Sequence, residues 1–249
     1  MPNIKSILTS PKFTGLIRFL LDECLPPIIR DRKILIGFVG KLYNTKIDID
    51  FRQKAPHMSK AQFRQAYEKL VPMRETDMSP RSTRFVLASL VGESVLEVGC
   101  GNGDISVACA RRGYRVTATD LAEGNLKQLR EKTQDQNLYI PTDVADIEEL
   151  PFRDRSFDTT ICLHTLEHVL NLPMAITELK RVTKRRLLIV VPRERYYRYT
   201  CNYHLNFFAA PEQLLLALKI EKSQCCTIDG ALCYIGDIDC ESTAIAMSA

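Results

Sequence analysis

The order of apolar and polar positions changes character near residue 92. Upstream, apolar residues recur at helical spacing. Phe13, Leu16, Ile17, Leu20 and Leu21 form one stripe ended by Pro26-Pro27, and Ile34 to Tyr43 forms a second. A third opens at Ser59, a good N-cap residue type, carries Phe63, Tyr67 and Leu70, and stops at Pro72. Ser79-Pro80 starts a fourth with Phe85, Val86 and Leu90. Downstream, β-branched runs predict strands at Ser94–Val98, Arg115–Thr119, Leu138–Pro141, Phe157–Leu163 and Arg186–Val191. Helical patterns lie between them at Asp104–Arg112, Glu123–Asp135 and Leu172–Val182. Pro211–Leu218 reads as a helix, and Ser223–Ile228 and Asp239–Met247 as closing strands. This alternation predicts a Rossmann-like, doubly wound α/β fold. Its mostly parallel seven-stranded sheet would carry helices on both faces, over residues 92–249, with residues 1–91 as a helical extension.

Composition narrows the class without identifying it. With 249 residues, 45% hydrophobic and 26% charged, the chain has the make-up of an ordinary globule, which excludes disordered and collagen-like readings. A net charge of +4 is too slight to imply nucleic-acid binding. The nine cysteines include no CxxC pair, and with four scattered histidines no zinc-site spacing emerges, so no metal is expected. An odd cysteine count without a secretory leader predicts free thiols in the cytoplasm. The apolar stretch from Phe13 to Tyr43 is broken by charges and by Pro26-Pro27, so no transmembrane segment is expected.

The candidate chemistry starts at Val95-Leu96-Glu97-Val98-Gly99-Cys100-Gly101-Asn102-Gly103-Asp104. An apolar strand runs into glycines and a helix follows at once. Glycines there permit positive φ and close approach of a ligand, toward which the helix turns its first amides. The spacing is GxGxG, and Asp104 stands where a dinucleotide fingerprint would have its third glycine. Asp120 closes the second strand, where a carboxylate can accept from both hydroxyls of a ribose or simply be solvated. Thr142-Asp143-Val144 sits at the end of the third: Asp143 either takes the amine of an adenine or caps the following turn.

Together with Leu150-Pro151-Phe152, Ser156-Phe157-Asp158 and His164 with Leu166-Glu167-His168-Val169, these segments resemble the class I S-adenosylmethionine-dependent methyltransferases. The nearest likeness is to the type 11 group, which includes the ubiquinone/menaquinone C-methyltransferases, over Gly92 to about Val191. The resemblance implies S-adenosyl-L-methionine as cofactor. By it, Glu97 orients the glycine loop near the methionine amino group. Gly99, Gly101 and Gly103, with Cys100 and Asn102 between them, wrap the methionyl part. Asp120, followed by Leu121, takes the ribose; Asp143 and Val144 frame the adenine; Leu163 and His164 close over the methionine end. The chain departs from the group in lacking a Pro-Gly-Gly turn before the fifth strand. A longer gap between Asp143 and Leu150 allows the adenine role to move to Asp146.

Methyl transfer is an in-line displacement, in which alignment dominates and a base helps when the acceptor is a hydroxyl or an acidic carbon. His164, His168 and His204 are the candidates; His168 can equally be a capping or packing residue. In the resemblance, His204, ahead of Phe207-Phe208, faces the acceptor pocket. Around it Lys180, Arg181, Lys184, Arg185, Arg186, Arg193, Arg195 and Arg198 interleave with tyrosines, opposed only by Glu194. That stretch is a solvated face, a site for an anionic small acceptor, or a nucleic-acid surface. The place after the fourth strand reads Leu163-His164-Thr165-Leu166, without the Asn/Asp-Pro-Pro-aromatic tetrad of nucleic-acid amino-methyltransferases, and no Pro-Cys dipeptide exists. A small, anionic or lipid-like acceptor is therefore expected, under a cover of N-terminal helices in which Tyr67 or Arg74 reaches the donor or merely packs. The rival readings are a nucleotide-dependent oxidoreductase, an aminopropyl transferase, and a binding protein that keeps the fold without turnover.

Overall fold

The computed structural model describes residues 24–30, 32, 34, 37, 50–69, 78–196 and 203–238. Its strands are β1 (Ser94–Val98), β2 (Arg115–Asp120), β3 (Thr142–Val144), β4 (Phe157–Leu163), β5 (Thr183–Pro192), β6 (Lys222–Ile228) and β7 (Ala231–Asp237). Helices are α1 (Pro27–Arg30), α2 (Phe51–Lys54), α3 (Lys60–Glu68), α4 (Pro80–Ala88), α5 (Asp104–Ala110), α6 (Glu123–Gln134), α7 (Leu172–Val182) and α8 (Pro211–Leu218). The strands join in one sheet of order β3-β2-β1-β4-β5-β7-β6. The first five run parallel, while β7 pairs antiparallel with both β5 and β6.

Strand periodicity explains why helices must lie on both sides. On β1, Leu96 and Val98 face one layer and Val95 the other; on β5, Leu187, Ile189 and Val191 alternate with Leu188 and Val190. The first layer is covered by Ala175, Ile176 and Leu179 of α7 and by Leu214 and Leu218 of α8. The second is covered by Val86 of α4, Ile105 and Cys109 of α5, and Leu126 and Leu129 of α6. A smaller cluster, Phe51, Ala55, Phe63 and Tyr67, packs α2 and α3 against Leu121, Tyr203 and Leu205. Ser59 caps α3 with a reciprocal capping box to Gln62, and Ser79 caps α4 ahead of Pro80.

Two elements differ from the sequence expectation. The third strand begins after Pro141, not at Leu138, because Leu138 and Ile140 pack into the second layer and the ladder opens on the Pro141 carbonyl, which accepts from Ala118 N–H. The last described strand is β7, at Ala231–Asp237; the strand expected at Asp239–Met247 lies outside the described residues. Asp229 and Gly230, with φ of 47° and 83°, form the two-residue turn that joins β6 to β7. The stripe from Phe13 to Leu21 and all of Ile34–Tyr43 but Ile34 and Gly37 also lie outside the described residues.

Candidate functional site

Where β1 and β4 lie side by side, the chain leaves them toward opposite layers, and a crevice opens at their carboxyl ends. The turn after β1 folds over the end of β2: Gly99 and Cys100 N–H both donate to the Thr119 carbonyl, at 2.8 and 2.9 Å. Gly99 has φ of 73°, and a Cβ on it would stand 2.2 Å from Thr165 Oγ1. Gly101 has φ of 54°, but a Cβ there would meet nothing within 4 Å. Glycine is thus required at Gly99 by a neighbour, while at Gly101 it leaves open space.

Asp120 holds this turn. Its Oδ2 accepts from Gly101 N–H and its Oδ1 from Ala122 N–H, each at 2.9 Å, with the residue only 5% exposed. Each oxygen keeps a second lone pair for a hydroxyl donor. The outer end of the turn is fixed by Lys132, whose Nζ donates to the Asn102 carbonyl at 2.8 Å and to Asp104 Oδ1 at 2.6 Å.

Glu97 lies beneath the turn, buried, and accepts from Ser106 Oγ on α5. Burial pushes its carboxyl up to about 8, against the hydrogen bond from Ser106. The folded protein therefore holds this proton more tightly than the unfolded chain. Its contribution to stability is complete below about pH 4.5 and is lost as pH rises through about 8. Between pH 6 and 7 the unliganded protein should lose up to about 1.4 kcal/mol from this group. Glu97→Gln should flatten that segment of the stability curve in urea titrations at a series of pH values. An unchanged slope would mean that Glu97 is ionised when folded.

The other wall follows β4. His164 takes φ of 49°, unusual for a residue with a side chain, and its N–H donates to the Val190 carbonyl at 2.7 Å. Its Nδ1 is 3.4 Å from Oε1 of Glu167, itself 2% exposed. Burial alone would raise the Glu167 carboxyl, but the hydrogen bond from His164 and the imidazoles of His168, His164 and His204 around it bring it down to about 2. His168 Nδ1 lies 3.2 Å from the Tyr203 carbonyl, and its ring meets those of Tyr67 and His204 edge-on at 5.6 and 4.9 Å. His204 Nδ1 lies 2.5 Å from Glu194 Oε2.

Of the residues expected from sequence, Gly99, Asp120, Leu121, His164 and His168 line one pocket. Tyr67, Asp146 and Thr165 join them there. Gly101 is tied to that wall through Asp120, and His204 stands behind His168. Glu97, Cys100, Asn102, Gly103 and Leu163 support the turn and β4 from outside the pocket lining. Asp143 is exposed, and neither it nor Val144 reaches the lining; Asp146 does, paired with Lys60 at 3.3 Å. Arg74 lies outside the described residues. Glu167 and Glu194 were not singled out from sequence as site residues. The signal for Glu194 is its isolation as the one acid within the basic stretch.

That stretch is divided rather than gathered. Strand β5 puts Lys184, near its start, and Arg193, just past its end, roughly 30 Å apart at opposite ends of the strand. Arg181 is bound to Glu178 and Asp154, and Arg186 to Asp237.

A family profile described as "Methyltransferase domain" matches residues 96–191. The chain is 31% identical over 176 residues to a ubiquinone biosynthesis O-methyltransferase of Xanthomonas campestris pv. campestris, covering 62% of this chain and 73% of that one. It is 43% identical over 90 residues to a malonyl-[acyl-carrier protein] O-methyltransferase of Erwinia pyrifoliae, covering 36% and 33%. The chain thus spans about a third of the length of the Erwinia relative. A solved S-adenosylmethionine-dependent methyltransferase from Aquifex aeolicus superposes with a TM-score of 0.53 at 16% identity, covering 73% of this chain and 100% of that one. At that identity the likeness concerns the fold.

Proposed function

The chain belongs to the class I S-adenosylmethionine-dependent methyltransferases of the type 11 group, and on that premise we propose that it methylates an oxygen of a small acceptor. The observation that carries this is the Asp120 carboxylate clasping Gly101 N–H at the crevice between β1 and β4, in one pocket with His164 and His168. The open space beside Gly101 and the spare lone pairs of Asp120 suit a methionyl nucleoside.

When bound, S-adenosylmethionine supplies a methyl whose S–C bond breaks as the acceptor's O–C bond forms, leaving S-adenosylhomocysteine and one acceptor proton. Asp120 would hold the ribose, and Asp146, which lines the pocket where Asp143 does not, would be the acid beside the adenine. His164 borders the methionine end, held in its unusual backbone conformation by β5 and by Glu167. The acceptor proton passes into the group formed by His164, His168 and His204. Helix α3 covers this end through Tyr67, whose ring packs against His168 and Tyr203. Tyr67, held by its packing on Phe51 and Phe63, lines the pocket at this end and would meet an acceptor with an apolar or aromatic body. A nucleic acid does not suit the divided basic stretch. No helix among the described residues is long and apolar enough to cross a membrane.

Calorimetric titration with S-adenosylhomocysteine and, separately, NADH tests the reading. Binding of the first with no heat from the second is expected. Binding of NADH alone would replace the proposal with the oxidoreductase alternative.

A further inference from the structure

The side chains around Glu167 do more than balance charge. We propose that Glu167, His168 and His204 bind one divalent first-row transition-metal ion of the zinc type at the acceptor end of the donor pocket. One carboxylate oxygen and one nitrogen from each histidine lie within 4.8 Å of one another. Bonds of about 2.0–2.2 Å would bring such atoms to roughly 3.4 Å apart, so the widest pair closes by up to about 1.4 Å, within reach of side-chain rotation.

Hydrogen bonding already sets the ligand chemistry. The Tyr203 carbonyl can only accept, so the contact at 3.2 Å puts a proton on His168 Nδ1. Glu194 does the same for His204 Nδ1 at 2.5 Å. A neutral imidazole protonated at Nδ1 presents its Nε2 lone pair, and a carboxylate or carbonyl behind the ring is the usual outer partner of a metal-bound histidine. Glu167 adds an independent sign. It is 2% exposed, and while Oε1 faces His164, the buried Oε2 has no hydrogen-bond partner. A buried carboxylate oxygen without a donor is costly unless a cation meets it.

The ligand-bearing segments are also fastened together. The Glu167 carbonyl accepts from Leu205 and Asn206 N–H at 2.6 and 3.0 Å. Asn206 Nδ2 donates to the Leu166 and Val169 carbonyls at 3.0 and 2.8 Å. Two nitrogens and one oxygen suit zinc, iron(II) or cobalt(II) better than magnesium or calcium, which prefer all-oxygen sites. Sequence spacing gave no metal because the ligands are two adjacent residues and one from a distant loop, a pattern that no local motif announces.

The ion's role, unlike its binding, rests on the methyl-transfer reading. With His168 and His204 as ligands, an acceptor hydroxyl on the open position would be polarised, pass its proton to His164, and face the donor as an oxyanion.

The test strips the full chain with a chelator and titrates it with Co²⁺, without donor or acceptor. Uptake of one equivalent with visible coordination bands, bleached by one equivalent of Zn²⁺, is expected. Glu167→Gln and His204→Ala should weaken Co²⁺ binding at least tenfold. Glu194→Gln, which keeps all three ligands, should weaken it by about 10- to 100-fold. S-adenosylhomocysteine binding by each variant reports an intact fold. Absence of stoichiometric uptake by the wild type overturns the proposal, as does wild-type affinity in both ligand variants. Cobalt uptake is read apart from S-adenosylhomocysteine binding, so failure of one leaves the other standing.

Discussion

Asp120→Ala should weaken S-adenosylhomocysteine binding on the order of a hundredfold or more, measured by calorimetry at a temperature where the variant is folded. The side chain has two tasks at once. It accepts from Gly101 and Ala122 N–H, and in the proposed function its remaining lone pairs would receive the ribose hydroxyls. Hydrogen bonds to a charged acceptor are worth about 1.5–3 kcal/mol each, and each 1.4 kcal/mol is a factor of ten in affinity. Alanine removes the ribose acceptor and also releases the Gly101 amide, so the turn loses the clasp that shapes it. Asp120→Asn keeps one acceptor oxygen and the side-chain volume, and should retain more affinity than alanine. A thermal melt of the unliganded variants separates the two tasks, because loss of the clasp lowers stability without ligand whereas loss of the ribose contact does not. Wild-type affinity in Asp120→Ala would remove this residue from the donor site.

The parts of the molecule legible in the sequence are those determined by neighbours along the chain. Strands β1 and β4 and helices α7 and α8 lie where their periodicities put them, since each is long enough to show its face and is ended by a glycine turn, a polar residue or a proline. Strand β3 was displaced because apolar residues before Pro141 serve the core without joining a ladder. Strand β7 was missed although Asp229-Gly230 carries the residue types that a two-residue hairpin needs. In the site, the glycine turn and Asp120 were readable because both sit at strand ends. Asp146, on the pocket wall, was open as the alternative to Asp143, but Thr165 against Gly99 and Glu194 behind His204 were not readable, because strand order, not sequence distance, brings them there. The missing Pro-Gly-Gly turn has a simple structural counterpart. Helix α7 ends at Val182 and β5 begins at Thr183, whose Oγ1 donates back to the Leu179 carbonyl at 2.5 Å.

His204→Ala should lower turnover by about 10²- to 10⁴-fold while S-adenosylhomocysteine affinity stays near the wild-type value. The asymmetry follows from position. His204 is outside the lining of the donor pocket but meets His168, which is part of it, at 4.9 Å between ring centroids. Its Nδ1 is engaged by Glu194, so the ring is oriented with Nε2 as its reactive edge. Arg52 fixes the segment from below, donating Nε–H to the His204 carbonyl at 3.1 Å and lying 4.2 Å from the centroid of the Phe207 ring. Loss of the imidazole thus removes chemistry at the acceptor end and leaves the Asp120 clasp intact. Glu194→Gln should fall between wild type and alanine, because an amide keeps an acceptor for Nδ1–H but holds the ring less firmly than the carboxylate. Single-turnover kinetics give the rate, and calorimetry gives the affinity. A joint fall of rate and donor affinity would move His204 to the donor side. An unchanged rate would leave proton removal to His164 or His168, the two histidines on the pocket wall.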